Sequence, residues 1–513
     1  MGRCLKSTAG PAGVGEARER LVRARGICYF DDIHDNDWQG RLARVAELGF
    51  GHVCLNPFLT RRDDPLLISD LSTPSPGFGI GGSIEEAVHE MAALCRRHGL
   101  SLCLDVVLDR LASDGASAQQ AGDLFERRHQ SDVADPRLDS SIVHAVTLRP
   151  DADRIASWWA SHLVRLADAG AAGFRLLGLG LLPPGALRAI VAATRRESAC
   201  AMWAWTPGLA WSRHGELADA GLDGAFASTA WWDGRAAWYV EELDSLARIA
   251  PVIGVVGEAR SLSTDAAVKR RALQIAVATT DGLFLPEGFA ADIEREIRQA
   301  LTDLERRDRP TKSVRRLTGS SAAVTALARL DAADPRQAQH GLAVLINNDL
   351  AKEQAVPVSL DPLDPVAGAM LGKPRLLDER PIPDRLQPGE VLVAELANVE
   401  PARSDEAHSV NAATTHSPVV IDRVVPQAPG FAVRRIIGRP ITVEADIFAD
   451  GHDVLAAELL WREAGESEWR RSAMTPLGND RWRGSMMPRR VGRHFYTIEA
   501  WRDEYGSLGH ALE

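Results

Sequence analysis

The chain has 513 residues, 45% hydrophobic and 25% charged, with 59 basic and 70 acidic residues and a formal charge of −11. That composition is an ordinary globular one, long enough for a barrel-sized core with one or two smaller modules, and it excludes a fibrous, coiled-coil or largely disordered chain. The acidic balance removes any global attraction for nucleic acid or an anionic membrane, so neither is expected as a partner.

Residues 1–25 contain no apolar run of signal length and read as an N-terminal extension, which makes the cytoplasm the expected location. From residue 26, short apolar runs alternate with helical patterns. The predicted strands are 26–30, 52–57, 101–107, 172–179, 200–205, 224–229, 251–256 and 282–286. The helix ahead of the third strand shows how such a unit is built. Ser83 and Glu86 form a capping box, Ile84, Val88, Met91 and Cys95 make one stripe, and Gly99 stops the helix. Eight such units predict a closed α/β TIM barrel, (β/α)8, over 26–320, with functional groups just after the strand ends.

A small antiparallel β domain, read as a β-sandwich, is expected over 321–400 from the runs at 342–349, 354–360 and 390–396. Residues 401–418 are polar and aperiodic and read as a linker. Beyond them, 419–513 alternates apolar and polar residues between turn signals, the pattern of a C-terminal immunoglobulin-like β-sandwich.

Motifs for cofactors and metals are weak. The Gly-rich stretch 77–83 lacks the Lys-Ser/Thr of a phosphate loop and reads as a turn into a helix. The six cysteines form no C-x-x-C pair, and the scattered His and Asp have no ligand spacing, so no cofactor and no metal are expected. The aromatic pairs at 158–159, 203–205 and 231–232 have two readings, core packing or a glucan-stacking surface. The basic run 305–316 reads as a solvated helix end or loop.

Around the second, third and fourth strands, LNPF (55–58), GLSLCLDVVLDR (99–110) and AGFRL (172–176) resemble the α-amylase superfamily, glycoside hydrolase family 13. The stretches ITVEADIFADGHDVLAAELLWR and PLGNDRWRGSMMPRRVGRHFYTIEAW resemble the N-terminal sandwich of the bacterial maltose-1-phosphate maltosyltransferases, which extend α-glucans. The resemblance implies a retaining mechanism with a nucleophile and an acid/base carboxylate about 5–5.5 Å apart, helped by a third carboxylate.

The residues at those places depart from the pattern. After GFR (173–175) and Leu176, the nucleophile position holds Leu177, which can form no glycosyl ester. The acid/base position falls at Trp205, and the third carboxylate aligns with Arg260. Asp105 is kept, but Asp109 and Arg110 replace the family's Asn and His, and the platform Tyr becomes Leu66. Glu258 and Glu287, after the seventh and eighth strands, are the alternative acids for a replacement pair. Asp105, Arg175 and Trp205 are the candidates for sugar or anion binding, and Arg175 has three fates open to it: pairing with Asp105, pairing with Glu258, or facing a solvent anion.

The expectation is a non-catalytic α-amylase-like accessory or scaffolding module in α-glucan metabolism. The alternative is an α-glucan-active hydrolase or transferase with altered residues. The expected partners are an α-glucan or maltosyl ligand, a maltosyltransferase catalytic domain in cis or in trans, and a second copy in a homo-oligomer. The chain then reads either as the front of a longer polypeptide or as a gene product separated from its catalytic half.

Overall fold

The computed structural model describes residues 25–30, 37–61, 64–127, 145–149, 151–257, 265–307, 309–356, 375–376, 382–397, 419–427, 433–451, 453–463, 466 and 468–512. All eight predicted barrel strands form: β1 Gly26–Phe30, β2 His52–Leu55, β3 Ser101–Val107, β4 Gly173–Leu177, β5 Ala201–Trp205, β6 Gly224–Ala227, β7 Val252–Val255 and β8 Gly282–Pro286. They close into one parallel barrel in sequence order, β8 pairing with β1 through Gly26↔Leu283 to Tyr29↔Pro286.

Strand residues alternate between two cores, as a period of two requires. One parity, including Cys28, Val53, Leu104, Phe174 and Met202, packs outward under the helices. The other, including Ile27, Cys54, Cys103, Trp203, Phe226 and Phe284, fills the barrel. The helices alternating with the strands are α1 Trp38–Glu47, α2 Ile84–Arg97, α3 Ala152–Asp168, α4 Ala186–Glu197, α5 His214–Ala218, α6 Ala237–Ala247, α7 Ala266–Thr279 and α8 Glu294–Glu305, with shorter helices at Ala116–Ala121 and, in the C-terminal segment, Glu504–Leu512. The expected capping box of α2 is present in both directions, its predicted stripe is buried, and Gly99 takes φ +74° where the helix stops.

The barrel interior is closed near its N-terminal end by Trp203, which is fully buried. A Cβ on Gly173 would lie 2.8 Å from its ring, and one on Gly224 would lie 2.7 Å from it, so the indole occupies space those glycines leave. His52 stands edge-on to Trp203 with ring centroids 5.8 Å apart. Among the described residues neither His52 nitrogen has a hydrogen-bond partner, and burial lowers its pKa from 6.5 to about 4. The ring is therefore neutral when folded but protonates in the unfolded chain from about pH 6.5 down. Stability from this group is present above pH 6.5 and is lost as pH falls to about 4, by about 3 kcal/mol in all. Denaturation of wild type and His52→Asn from pH 7.5 to 4 should show the variant losing less stability with acid. Equal slopes would contradict this.

Two insertions rise between barrel units. A hairpin of Phe58–Arg61 and Asp64–Pro74 follows β2, and a three-stranded sheet of Arg110–Ala112, Ala145–Leu148 and Phe125–Arg127 follows β3. After α8 comes a five-stranded sheet in the order β9-β10-β11-β13-β12, with β9 Ser313–Arg316, β10 Val324–Leu330, β11 His340–Asn347, β12 Arg375–Leu376 and β13 Val391–Ala397. The basic run 305–316, expected as a helix end or loop, thus supplies strand β9, because Ser313 and Val314 are buried.

The C-terminal segment holds two antiparallel sheets. The first is ordered β14-β15-β19-β18, with β14 Val419–Val425, β15 Ile441–Ala449, β18 Thr475–Gly478 and β19 Arg481–Met486. The second is ordered β17-β16-β20, with β16 Leu455–Glu463, β17 Arg470–Ala473 and β20 His494–Arg502. Val443, Ala445, Ile447, Trp482 and Leu459 join one core drawn from both sheets. Outside it, Arg481 and Arg483 pair with Glu444 and Asp446 across the strands. No described helix is long and apolar enough to cross a membrane.

Candidate functional site

The C-terminal strand ends of the barrel bring Asp105, Arg175 and Trp205 together. Strands β3 and β4 pair in parallel with Asp105 directly beside Arg175. Arg175 Nε donates to Asp105 Oδ1 at 2.7 Å, and its Nη2 donates to Oδ2, a two-point contact. Of the three fates open to Arg175, pairing with Asp105 is the one seen. Arg175 is 4% exposed and Asp105 1%. Burial alone would lower the guanidinium's pKa, but Asp105 raises it above the usual value and holds the charge.

Three rings surround the same guanidinium. Its carbon lies 4.5 Å from the Tyr29 ring centroid, 4.6 Å from Phe284 and 4.7 Å from Trp205, drawn from β1, β8 and β5. The rings also touch one another, Tyr29 to Phe284 at 5.3 Å and Trp205 to Phe284 at 5.8 Å, with Phe226 5.1 Å from Phe284. Cation–π attraction in a desolvated site stabilises such a charge by about 2 kcal/mol per good contact, and here it comes from the protein's own side chains. Cys54 Sγ donates to Asp105 Oδ1 at 3.1 Å, and burial together with the Asp105 charge pushes that thiol's pKa well up, so it is a protonated donor.

Leu177 ends β4 on the same parity as Arg175, is 6% exposed and packs in the large barrel core, and its carbonyl accepts from Leu108 N at 3.0 Å. Next to it, Gly178 has φ +72° and lies so close to Asp109 that a Cβ would meet Oδ1 at 2.1 Å. Asp109 and Arg110 are both buried, 3.6 Å apart. The loops after β4 and β5 are fastened together by Arg213, which donates to Leu182 O at 2.7 Å and pairs with Glu216 at 3.0 Å. A small recess between those loops, partly open to solvent, is lined largely by leucines, among them Leu179, Leu187, Leu209 and Leu217.

Glu287 follows β8 and is bound on both oxygens by Arg41 of α1, at 3.1 and 3.0 Å from Nε and 2.5 Å from Nη2. Arg41 in turn stacks over Phe30 and Trp38. Glu258 and Arg260 lie outside the described residues. Among the described residues no group of three or more His, Cys, Asp or Glu is arranged to hold a metal ion.

Tyr29, Phe284 and Cys54 are the members of the site that the motifs did not single out. The available signal was alternation: 29, 54, 105, 175, 205 and 284 fall on the inward parity of their strands.

Comparison with known proteins follows this division. Residues 417–513 match the family model described as alpha-1,4-glucan:maltose-1-phosphate maltosyltransferase, domain N/S. The maltosyltransferase of Burkholderia pseudomallei is 29% identical over 540 residues, covering 92% of this chain and 47% of that protein. That of Chlorobaculum tepidum is 48% identical over 97 residues, covering 18% and 14%. The chain thus spans about half the length of the Burkholderia relative and much less of the Chlorobaculum one.

Among solved structures, the α-amylase of Geobacillus thermoleovorans complexed with acarbose shares the fold at a TM-score of 0.54 and 13% identity, covering 74% of this chain and 99% of that one. The gamma-CGTase of alkalophilic Bacillus clarkii does so at 0.53 and 12%, covering 91% and 79%. The chain thus has the (β/α)8-barrel fold of these α-amylase-type structures, is similar to a maltosyltransferase over 92% of its length, and matches the maltosyltransferase domain N/S model over residues 417–513.

Proposed function

We propose that this chain serves α-glucan metabolism as a non-catalytic accessory module. Its α-amylase-like barrel acts as a scaffold or glucan-binding body. Its C-terminal sandwich, which we read as immunoglobulin-like, associates with a maltosyltransferase catalytic domain in the same polypeptide or on a separate chain. The proposed location is the cytoplasm, in keeping with five described cysteines that are all buried free thiols.

The observation that carries the reading is the buried Asp105–Arg175 pair under Tyr29, Trp205 and Phe284. In a retaining glycosidase the equivalent space must admit a sugar between two carboxylates. Here an internal ion pair and aromatic packing use the inward positions, and Leu177 supplies no nucleophile. The alternative, a rebuilt hydrolytic pair of Glu258 and Glu287, has less support because Glu287 is held on both oxygens by Arg41.

The accessory role is tested by measuring maltosyl transfer by the maltosyltransferase of the same cell, and glycogen affinity, with and without the full chain. A change in either is expected. If neither rate nor affinity moves at saturating chain, the accessory role fails.

A further inference from the structure

Residues 419–513 carry 13 arginines, no lysine and 14 carboxylates, so the segment is almost neutral. Its cations are not spread evenly. Six of the arginines fall in two similar loops, VRRIIGR at 433–439 and MPRRVGR at 487–493. The first loop leads into β15 and the second leaves β19, and the pairing Ile441↔Met486 puts both at one end of the sheets. Gly438, at φ +69°, fastens them by donating its N–H to Pro488 O at 3.0 Å.

Elsewhere in this segment Arg423 is matched to Asp446, Arg470 to Glu466, Arg471 to Glu458 and Glu499, Arg481 and Arg483 to Glu444, and Arg502 to Asp453, while Arg462 donates to Glu466 O at 2.6 Å and lies over the Trp469 ring. In the two loops Arg490 alone is matched, to Glu463 at 3.0 Å. Arg434, Arg435, Arg439, Arg489 and Arg493 are exposed, and none has an ion-pair partner among the described residues. Between them stand Ile436, 71% exposed, with Ile437, Met487 and Val491 also exposed.

We propose that this end of the C-terminal domain is a docking surface for an acidic, partly apolar protein surface. The five uncompensated guanidiniums select carboxylates. The four apolar side chains set among them bury against apolar groups, which a phosphate backbone or sulfated polysaccharide does not offer at those points. Arg and Met are enriched at protein interfaces relative to the rest of a protein surface. A symmetric contact of this end with itself is disfavoured, because it would bring the same unmatched cations together in a two-fold interface. The identity of the partner, a maltosyltransferase catalytic domain, rests on the function proposed above. The chemistry of the surface does not.

The test uses the full chain and three labelled probes, followed by fluorescence anisotropy: a peptide alternating Glu with Leu and Phe, an oligoglutamate of equal charge, and heparin. The amphipathic peptide should bind most tightly and lose about tenfold or more in affinity between about 50 and 300 mM salt. It should lose about tenfold in Arg434→Glu/Arg435→Glu/Arg489→Glu and severalfold in Ile436→Ser/Met487→Ser, with melting temperatures unchanged because these positions are exposed. Absence of binding, or affinity unmoved by the charge reversals, overturns the proposal. Equal or tighter binding of heparin or oligoglutamate with no effect of Ile436→Ser/Met487→Ser also overturns it and marks a polyanion site instead. A parallel titration with the maltosyltransferase of the same cell separates the two claims. If the peptide binds as described and the enzyme does not, the partner reading fails and the surface stands. If the enzyme binds equally to wild type and the triple variant, the surface fails and the partner reading stands.

Discussion

Asp105→Ala is expected to destabilise the barrel by about 3–5 kcal/mol, since it strands a guanidinium that is 4% exposed with no other carboxylate paired to it among the described residues. Arg175→Met should cost a similar amount by leaving Asp105 buried with only the Cys54 thiol as a described side-chain donor. The double variant Asp105→Leu/Arg175→Met is expected to cost far less than the sum, because replacing both members of a buried pair with apolar groups is often close to neutral. Urea unfolding read by helical circular dichroism follows mainly the barrel, which carries the helices α1–α8. Additive losses would mean that the two groups do not act as a pair. A group kept open for sugar or anion behaves differently, since its removal costs binding and little stability.

Trp203→Ala should be the second large effect, about 3–5 kcal/mol, because a fully buried indole leaves a cavity at the centre of eight strands. The complementary change, Gly173→Ala, places a methyl 2.8 Å from that ring and 3.0 Å from Ala201 Cβ, and should cost about 1–3 kcal/mol by overpacking. Combined, the two should cost less than their sum, since the methyl enters space the indole has left. The same urea titration measures both. Strict additivity would show that the ring does not depend on the missing side chain.

The sequence displays the barrel strands because each is a short apolar run bounded by turn residues, and the C-terminal strands because they alternate. It hides β10: VTALARL, buried at all seven positions, lies outside the runs assigned to strands, and only the sheet shows its place. At the site, Leu177 and Trp205 read as departures only against the α-amylase-like motif, which sets what is expected at those places. The pairing of Arg175 with Asp105 is legible as one choice among three, and register decides it. Tyr29 and Phe284 are 255 positions apart and meet only because β8 closes onto β1. Arg41 reaches Glu287 across 246 positions for the same reason, since spacing along a chain carries no distance across a closed barrel.

The central claim is that this barrel does no glycosidic chemistry, and product analysis tests it directly. The purified 513-residue chain is incubated with maltooligosaccharides, and separately with maltose 1-phosphate and glycogen, beside Glu258→Ala/Glu287→Ala at equal concentration. The account predicts no hydrolysis, transglycosylation or maltosyl transfer above that variant, because Leu177 stands where the α-amylase resemblance expects the nucleophile and Arg175 and Asp105 are spent on each other. Sustained product formation that disappears in the double variant would contradict it and make those two glutamates a working pair.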